Sequence, residues 1–197
     1  MALPSELRLL LDENNGTITN IQANEAGISR ERLRLLVNAG ELERVAAGVY
    51  ISTDTLPDKM YVEQKRKPRL IYSHETALFL HDLTDRDPIG YSVTVPRGYN
   101  TMAVSEAGFT VYTVKRELYK LGVVQKKTIF GNLVNTYDLE RTICDCVRSR
   151  NRMDIAVLTD GMKRYAKRSD KNLNALMQMA EAFRITKPLR SYMEVLL

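Results

Sequence analysis

The chain has no tryptophan, only two histidines and two cysteines, and no long apolar run in its 197 residues. Each shortage removes a class of protein. Two cysteines cannot build a disulfide scaffold. Cys144 and Cys146 stand two apart in what reads as a helix, so their side chains diverge and do not bridge. A Cys-x-Cys metal site has no further ligands at useful spacing. One core thiol and one partly exposed thiol in a reducing compartment are expected. No stretch reaches the roughly 18 uninterrupted apolar residues of a membrane span, so no membrane partner is expected. Residues 1–15 lack the basic start of a secretory signal, and charged residues flank their short leucine run, which points to the cytoplasm.

Catalytic signatures are missing as well. There is no Gly-rich phosphate loop, no His-Glu-x-x-His and no Gly-x-Ser-x-Gly, so neither an enzyme nor a cofactor is expected. His74 and His81 lie seven apart on one helical face beside Glu75 and Asp82; a zinc site prefers i,i+4 spacing or several convergent ligands, and these two are expected to pack or cap. Glu63-Gln64-Lys65 has the Glu-x-Lys form of some nucleases, but it lies in a linker-like stretch with no acidic partner before it.

What is present begins with three short helical patterns and a hairpin. Pro4 suits a first helical turn, and Leu7, Leu10 and Leu11 follow at helix spacing until Asn14-Asn15-Gly16. Thr19-Asn20-Ile21-Gln22 is a capping box opening a second helix that Gly27 ends. Ser29 caps a third, running to about Ala39 and stopped by Gly40. Two short helices joined by a tight Gly turn form a helix-turn-helix candidate. On the third helix Leu33, Leu36 and Val37 share the inward face, leaving Glu31, Arg34 and Asn38 outward. Leu42–Val45 and Val49–Ile51 then read as strands around an Ala46-Ala47-Gly48 loop, which makes the motif winged. Candidate contacts to double-stranded operator DNA are therefore Ser29, Arg30, Glu31, Arg34 and Asn38 on the helix and Arg44 on the wing.

The expected fold class is α+β. A winged helix-turn-helix occupies residues 1–54 and a linker residues 55–69, with a short helix possible around Met60 to Lys65. Residues 70–197 then form a mixed α/β C-terminal domain with a small sheet and several helices. In it, Ser73 is expected to cap a helix, Tyr91–Val95 and Phe109–Val114 to be strands, and Val123–Thr136 a hairpin turning at Gly131-Asn132. Helices are expected over Asp138–Arg150, Asp154–Arg168 and Asn172–Leu197, the last broken near Pro188.

Charge is split along the chain. Up to Leu56 there are five basic and eight acidic residues; with an overall net charge of +5, the remainder carries +8. The reader motif is thus not the basic part, and strong phosphate neutralisation has to draw on later residues. The candidates are Lys65, Arg66, Lys67, Arg97, Arg148, Arg150, Lys163, Arg164, Lys167 and Arg168. The last four stripe one helix and, if they hold DNA, neutralising them together should weaken operator binding and flatten its salt dependence. An acidic partner or RNA is the alternative use for such groups.

Four blocks in order resemble the AbiEi antitoxins. The first is Ile28 to Val45 (Ile-Ser-Arg-Glu-Arg-Leu-Arg-Leu-Leu-Val-Asn-Ala-Gly-Glu-Leu-Glu-Arg-Val) with Gly48-Val49-Tyr50. The others are Ser73-His74-Glu75-Thr76-Ala77-Leu78 leading into Leu80-His81-Asp82-Leu83-Thr84-Asp85-Arg86, Val93-Thr94-Val95-Pro96-Arg97-Gly98, and Tyr137-Asp138-Leu139-Glu140-Arg141-Thr142. One departure is His81-Asp82-Leu83, where the family often has His-Gly-Leu. The resemblance implies an antitoxin of a type IV toxin–antitoxin system of abortive infection (phage defence). It implies a nucleotidyltransferase-like toxin as functional partner without a stable complex, and repression of its own promoter at inverted repeats. Antitoxicity would reside in the C-terminal domain, where the basic residues above are candidates. A plain winged-helix regulator whose C-terminal domain binds a ligand or protein is the rival reading.

Overall fold

The computed structural model describes residues 3–196. By contacts the chain divides into two units, Met1–Pro68 with Lys127–Val134, and Arg69–Lys126 with Asn135–Leu197.

The first unit runs α1 (Ser5–Glu13), β1 (Thr17–Thr19), α2 (Asn20–Glu25), α3 (Arg30–Asn38), β2 (Leu42–Ala46), β3 (Val49–Ser52) and α4 (Lys59–Arg66). Its antiparallel sheet has the order β1-β3-β2. β1 has no sequence signature, being only Thr-Ile-Thr; pairing to β3 defines it, Ile18 opposite Tyr50. The wing is tighter than the expected loop, because Ala46 still pairs with Val49 and a bulge between Arg44 and Ala46 absorbs the extra residue, leaving Ala47-Gly48 as the turn. Leucine spacing does the packing: Leu7, Leu11, Leu33 and Leu36 meet Ile18, Ala23, Ile28, Leu42 and Tyr50 in one core.

The stretch 55–69 contains α4, with Met60, Tyr61 and Val62 buried. Its N-cap Asp58 is 1% exposed and does three things. Its carboxylate accepts from the Tyr61 amide at 3.1 Å, the Thr128 hydroxyl at 2.5 Å and the Asn132 side-chain amide at 2.9 Å. That clamp explains why residues 127–134, remote in sequence, belong to this unit.

The second unit holds β4 (Ile71–Tyr72), α5 (His74–Leu80), β5 (Ser92–Pro96), α6 (Met102–Glu106), β6 (Thr110–Val114) and α7 (Arg116–Tyr119). The hairpin strands β7 (Val123–Lys127) and β8 (Leu133–Tyr137) follow, except for Lys127, Leu133 and Val134, which are counted with the first unit; then come α8 (Leu139–Arg148), a 3-10 turn (Arg150–Arg152), α9 (Ile155–Lys167), α10 (Leu173–Ala182) and α11 (Thr186–Leu196). The sheet order is β6-β5-β4-β8-β7, with β5 and β6 parallel. α8 packs against α5, α9, α10 and α11, and so is buried on nearly every side. Both thiols are consequently buried, Cys144 and Cys146 each at 0% exposure, rather than one core and one partly exposed. Burial pushes the Cys144 thiol up to about 12 and Cys146 well above its ordinary value, so neither is a nucleophile.

Two other expectations are corrected. The final helical stretch breaks at Phe183–Ile185, before Pro188, which sits in the first turn of α11 where a missing amide hydrogen costs nothing. Ser73 occupies the N-cap of α5 but its hydroxyl caps no amide. It accepts from the Thr94 hydroxyl and meets His74 Nδ1 at 2.9 Å. His74 stacks on Tyr112 at 3.4 Å between centroids, and its Nε2 meets the Ser149 hydroxyl. His81 Nε2 lies 2.6 Å from the Tyr137 carbonyl. Both histidines pack and bond within the unit, and among the described residues no cluster could hold a metal ion.

Candidate nucleic-acid interface

The helix-turn-helix is assembled by caps and stops. Thr19 and Gln22 close the capping box reciprocally, at 3.3 and 2.9 Å. Gln22 then donates to Asn14 at 2.7 Å, and Asn14 to the Leu10 carbonyl at 2.8 Å, linking the start of α2 to the end of α1. Between α2 and α3, Gly27 has φ +77°; the amide of Ile28 reaches the Ala23 carbonyl at 2.8 Å, so the turn needs the left-handed conformation that glycine adopts without strain. Ser29 caps α3 by accepting from the Arg32 amide at 3.2 Å.

Packing Leu33 and Leu36 inward leaves the rest of α3 in solvent. Ser29, Arg30, Glu31, Arg34 and Asn38 are all exposed, as is Arg44 on β2. Arg32 and Leu35, the latter 42% exposed, share that surface and were not singled out by the sequence reading, although the same heptad-like spacing places Leu35 beside Glu31, Arg34 and Asn38. An exposed leucine among base-reading candidates can meet a thymine methyl. Arg34 donates to Glu31 at 2.7 Å, and that hydrogen bond raises its already high pKa. Both partners are largely exposed, so the pair exchanges readily with solvent or a competing anion. Arg44 Nε donates to the Ala46 carbonyl at 3.4 Å, which steadies the wing.

Residues 5–53 match the family model described as transcriptional regulator, AbiEi antitoxin. The match covers the winged helix and no later part of the chain. The family so described is one of transcriptional regulators and antitoxins. The solved structure of the Rv2827c protein from Mycobacterium tuberculosis is similar in fold, with a TM-score of 0.57 over 91% of this chain and 72% of that one at 13% identity. No curated protein matches by sequence. No helix among the described residues is long and apolar enough to cross a membrane.

The basic candidates outside the AbiEi segment fall into two groups. Lys65, Arg66 and Lys67 lie on or just after α4, in the same unit as α3. With them and Lys59 and Lys127, that unit holds ten basic and ten acidic residues, so its acidity disappears once the folded unit rather than the first 56 residues is counted. Arg66 and Lys67 both pair with Glu63 at 2.7 Å, and Lys65 sits 4.8 Å over the Tyr61 ring. In the second unit the expected stripe on α9 is partly neutralised. Arg164 is held by Asp85 and by Asp160 at 3.0 Å, and Arg168, the C-cap, pairs with Asp170 at 2.7 Å. Lys163 and Lys167 are exposed, and neither forms an ion pair among the described residues. Arg150 is exposed and donates to the Val147 carbonyl, Arg97 is exposed just past β5, and Arg148 is half-buried against Asp145.

A buried cluster that sequence reasoning did not single out lies inside the quoted Tyr137–Thr142 block. Arg141 is fully buried, donates to Asp145 at 2.8 Å and to the carbonyls of Leu118 and Leu121 at 2.8 Å each, and lies between the rings of Tyr137 and Phe183. Asp138 caps α8 through the Arg141 amide, and Glu140 accepts from Tyr165 and the Asn172 amide. These charges organise the second unit's core. Only their unusual density ahead of an apolar helix signals it in sequence.

Proposed function

We propose that this protein is a DNA-binding repressor and antitoxin, α3 entering the major groove with Arg30, Arg34 and Asn38 toward base edges while Arg44 on the wing meets the phosphate backbone. The observation that carries this reading is the fully solvated outer face of α3, directly followed by a wing, within the AbiEi segment. Glu31 acts as a mobile counter-ion that hands Arg34 to DNA. Lys65, Arg66 and Lys67, in the same unit, supply the phosphate attraction that the first 56 residues lack. The operator is the protein's own promoter, read at inverted repeats. The antitoxic role belongs to a type IV system of phage defence whose nucleotidyltransferase-like toxin is countered without a stable complex. Both attributions extend the ordered resemblance of the later blocks to the second unit.

The test is fluorescence anisotropy with the upstream promoter duplex and a scrambled duplex over a salt series. Wild type is expected to prefer the promoter. Arg30→Ala and Arg34→Ala should each lose about tenfold or more of promoter affinity with little change on the scrambled duplex. Equal affinities for the two duplexes, or variants that discriminate as wild type does, would overturn the reading of α3.

A further inference from the structure

We propose that the second unit contains a binding site for a phosphate group in the cleft at the carboxyl ends of β5 and β6. The two strands are parallel, so their ends lie on one edge of the sheet, and the Arg97 amide donates to the Val114 carbonyl at 2.7 Å to hold them together. Open sheets with parallel strands bind ligands outside such ends. The first residue beyond each strand is a cation: Arg97 after Pro96, Lys115 after Val114. Arg148 from the end of α8 and Arg184 from the turn between α10 and α11 complete the wall of a cleft of about 240 Å³, with Leu118 and Phe183 as its apolar lining. No carboxylate lines it.

These cations are poorly compensated. Arg148 lies 3.0 Å from Asp145, but that carboxylate is already hydrogen-bonded to Arg141, and the Arg148 Nε is buried with no partner. Lys115 has only a loose 3.9 Å contact to the exposed Glu117. Arg184 has φ +57°, a left-handed conformation that costs an L residue free energy and that glycine would take without strain. Its guanidinium thus stands at the cleft on a backbone better suited to a residue without a side chain. A solvated basic face would spread its charges over a convex surface; here four elements converge on a hollow. A cavity below the roughly 300 Å³ of drug-sized sites suits one compact, multiply charged anion, a phosphate or pyrophosphate group, rather than a whole nucleotide.

The phosphate could belong to a free phosphorylated compound or to a nucleic-acid backbone, and titration separates the two. Inorganic pyrophosphate is added to the full chain at constant ionic strength, followed by amide chemical shifts and calorimetry. Saturable binding is expected, with shifts at Arg97, Lys115 and Arg184. Arg97→Ala and Arg184→Gly should each weaken it at least tenfold. Arg184→Gly relieves the backbone, so it should melt at or above the wild-type temperature, and a binding loss in it is not a folding loss. Adding duplex DNA then assigns the source: displacement of pyrophosphate points to backbone phosphates, simultaneous binding to a free phosphorylated compound. No saturable binding by wild type, or equal binding by both variants, would overturn the proposal.

Discussion

Helices stop in the same way in both units but with different residues. α2 and α3 end at Gly27 and Gly40, with φ +77° and +71°. α5 and α10 end at Asp82 and Arg184, both with φ +57°. The hydrogen bonds are the same in each: the following amide reaches back to the carbonyl five residues earlier, Ile28 to Ala23, Glu41 to Leu36, Leu83 to Leu78 and Ile185 to Ala180. Charge follows a parallel division. In the AbiEi segment the arginines stand in solvent, whereas the second unit buries Arg141, Asp145, His74 and His81. One region uses the residue each position prefers locally; the other accepts local cost because tertiary partners hold it in place.

Removing a buried partner should break that contrast most strongly. Arg141→Ala leaves Asp145 with Arg148 alone and two carbonyls without their donor. We expect a loss of about 3–5 kcal/mol in denaturant unfolding. Arg34→Ala, on the exposed face of α3, should leave the unfolding midpoint unchanged. A small loss for Arg141→Ala would mean that the second unit's core does not depend on its buried charge.

The next effect is pH-dependent and belongs to the second unit, which holds both histidines. Burial, and then the positive charges of Arg148, Arg141 and Arg152, hold His74 well below its usual range. Burial likewise lowers His81, against the pull of its bond to the Tyr137 carbonyl. Folded values below unfolded ones mean that stability is complete above about pH 6.5 and declines as pH falls below it, by up to ~1.4 kcal/mol per unit for each group. Hydrogen exchange at pH 7 and pH 5.5 should show amides of the second unit losing protection while those of α1–α3 keep theirs. Equal losses in both units would contradict this.

These contrasts also explain what the sequence could tell. The winged helix was legible because its signals are local: a capping box, Gly stops, leucines at helix spacing and a Gly turn in the wing. β1 escaped because three residues carry no period, and the Asp58 clamp because its partners lie about 70 residues away. The break before α11 falls a few residues ahead of the expected place near Pro188, since Arg184 gives no local sign of a left-handed residue. The exposure of Glu31, Arg34 and Asn38 followed from periodicity. The pairing of Arg164 with Asp85, 79 residues apart, could not. A site on one helix face is written in sequence spacing, whereas a site such as the cleft of Arg97, Lys115, Arg148 and Arg184 exists only after the sheet and helices meet.

The smallest effects test the helix stops themselves, through a mirrored pair of substitutions. Gly27→Ala puts a Cβ on a left-handed residue with nothing within 4 Å, so the cost is conformational alone and should be about 1 kcal/mol. Asp82→Gly makes the reverse change in the second unit. Asp82 is exposed, so losing its side chain empties no core. Relief of the left-handed strain should outweigh the extra freedom glycine gives the unfolded chain, for a net gain of up to ~1 kcal/mol. Matched unfolding curves for the two variants decide the point. Opposite signs would show that the two regions share one stop and differ only in how well their residues suit it. A loss in Asp82→Gly would show instead that its side chain contributes to the stability of the second unit.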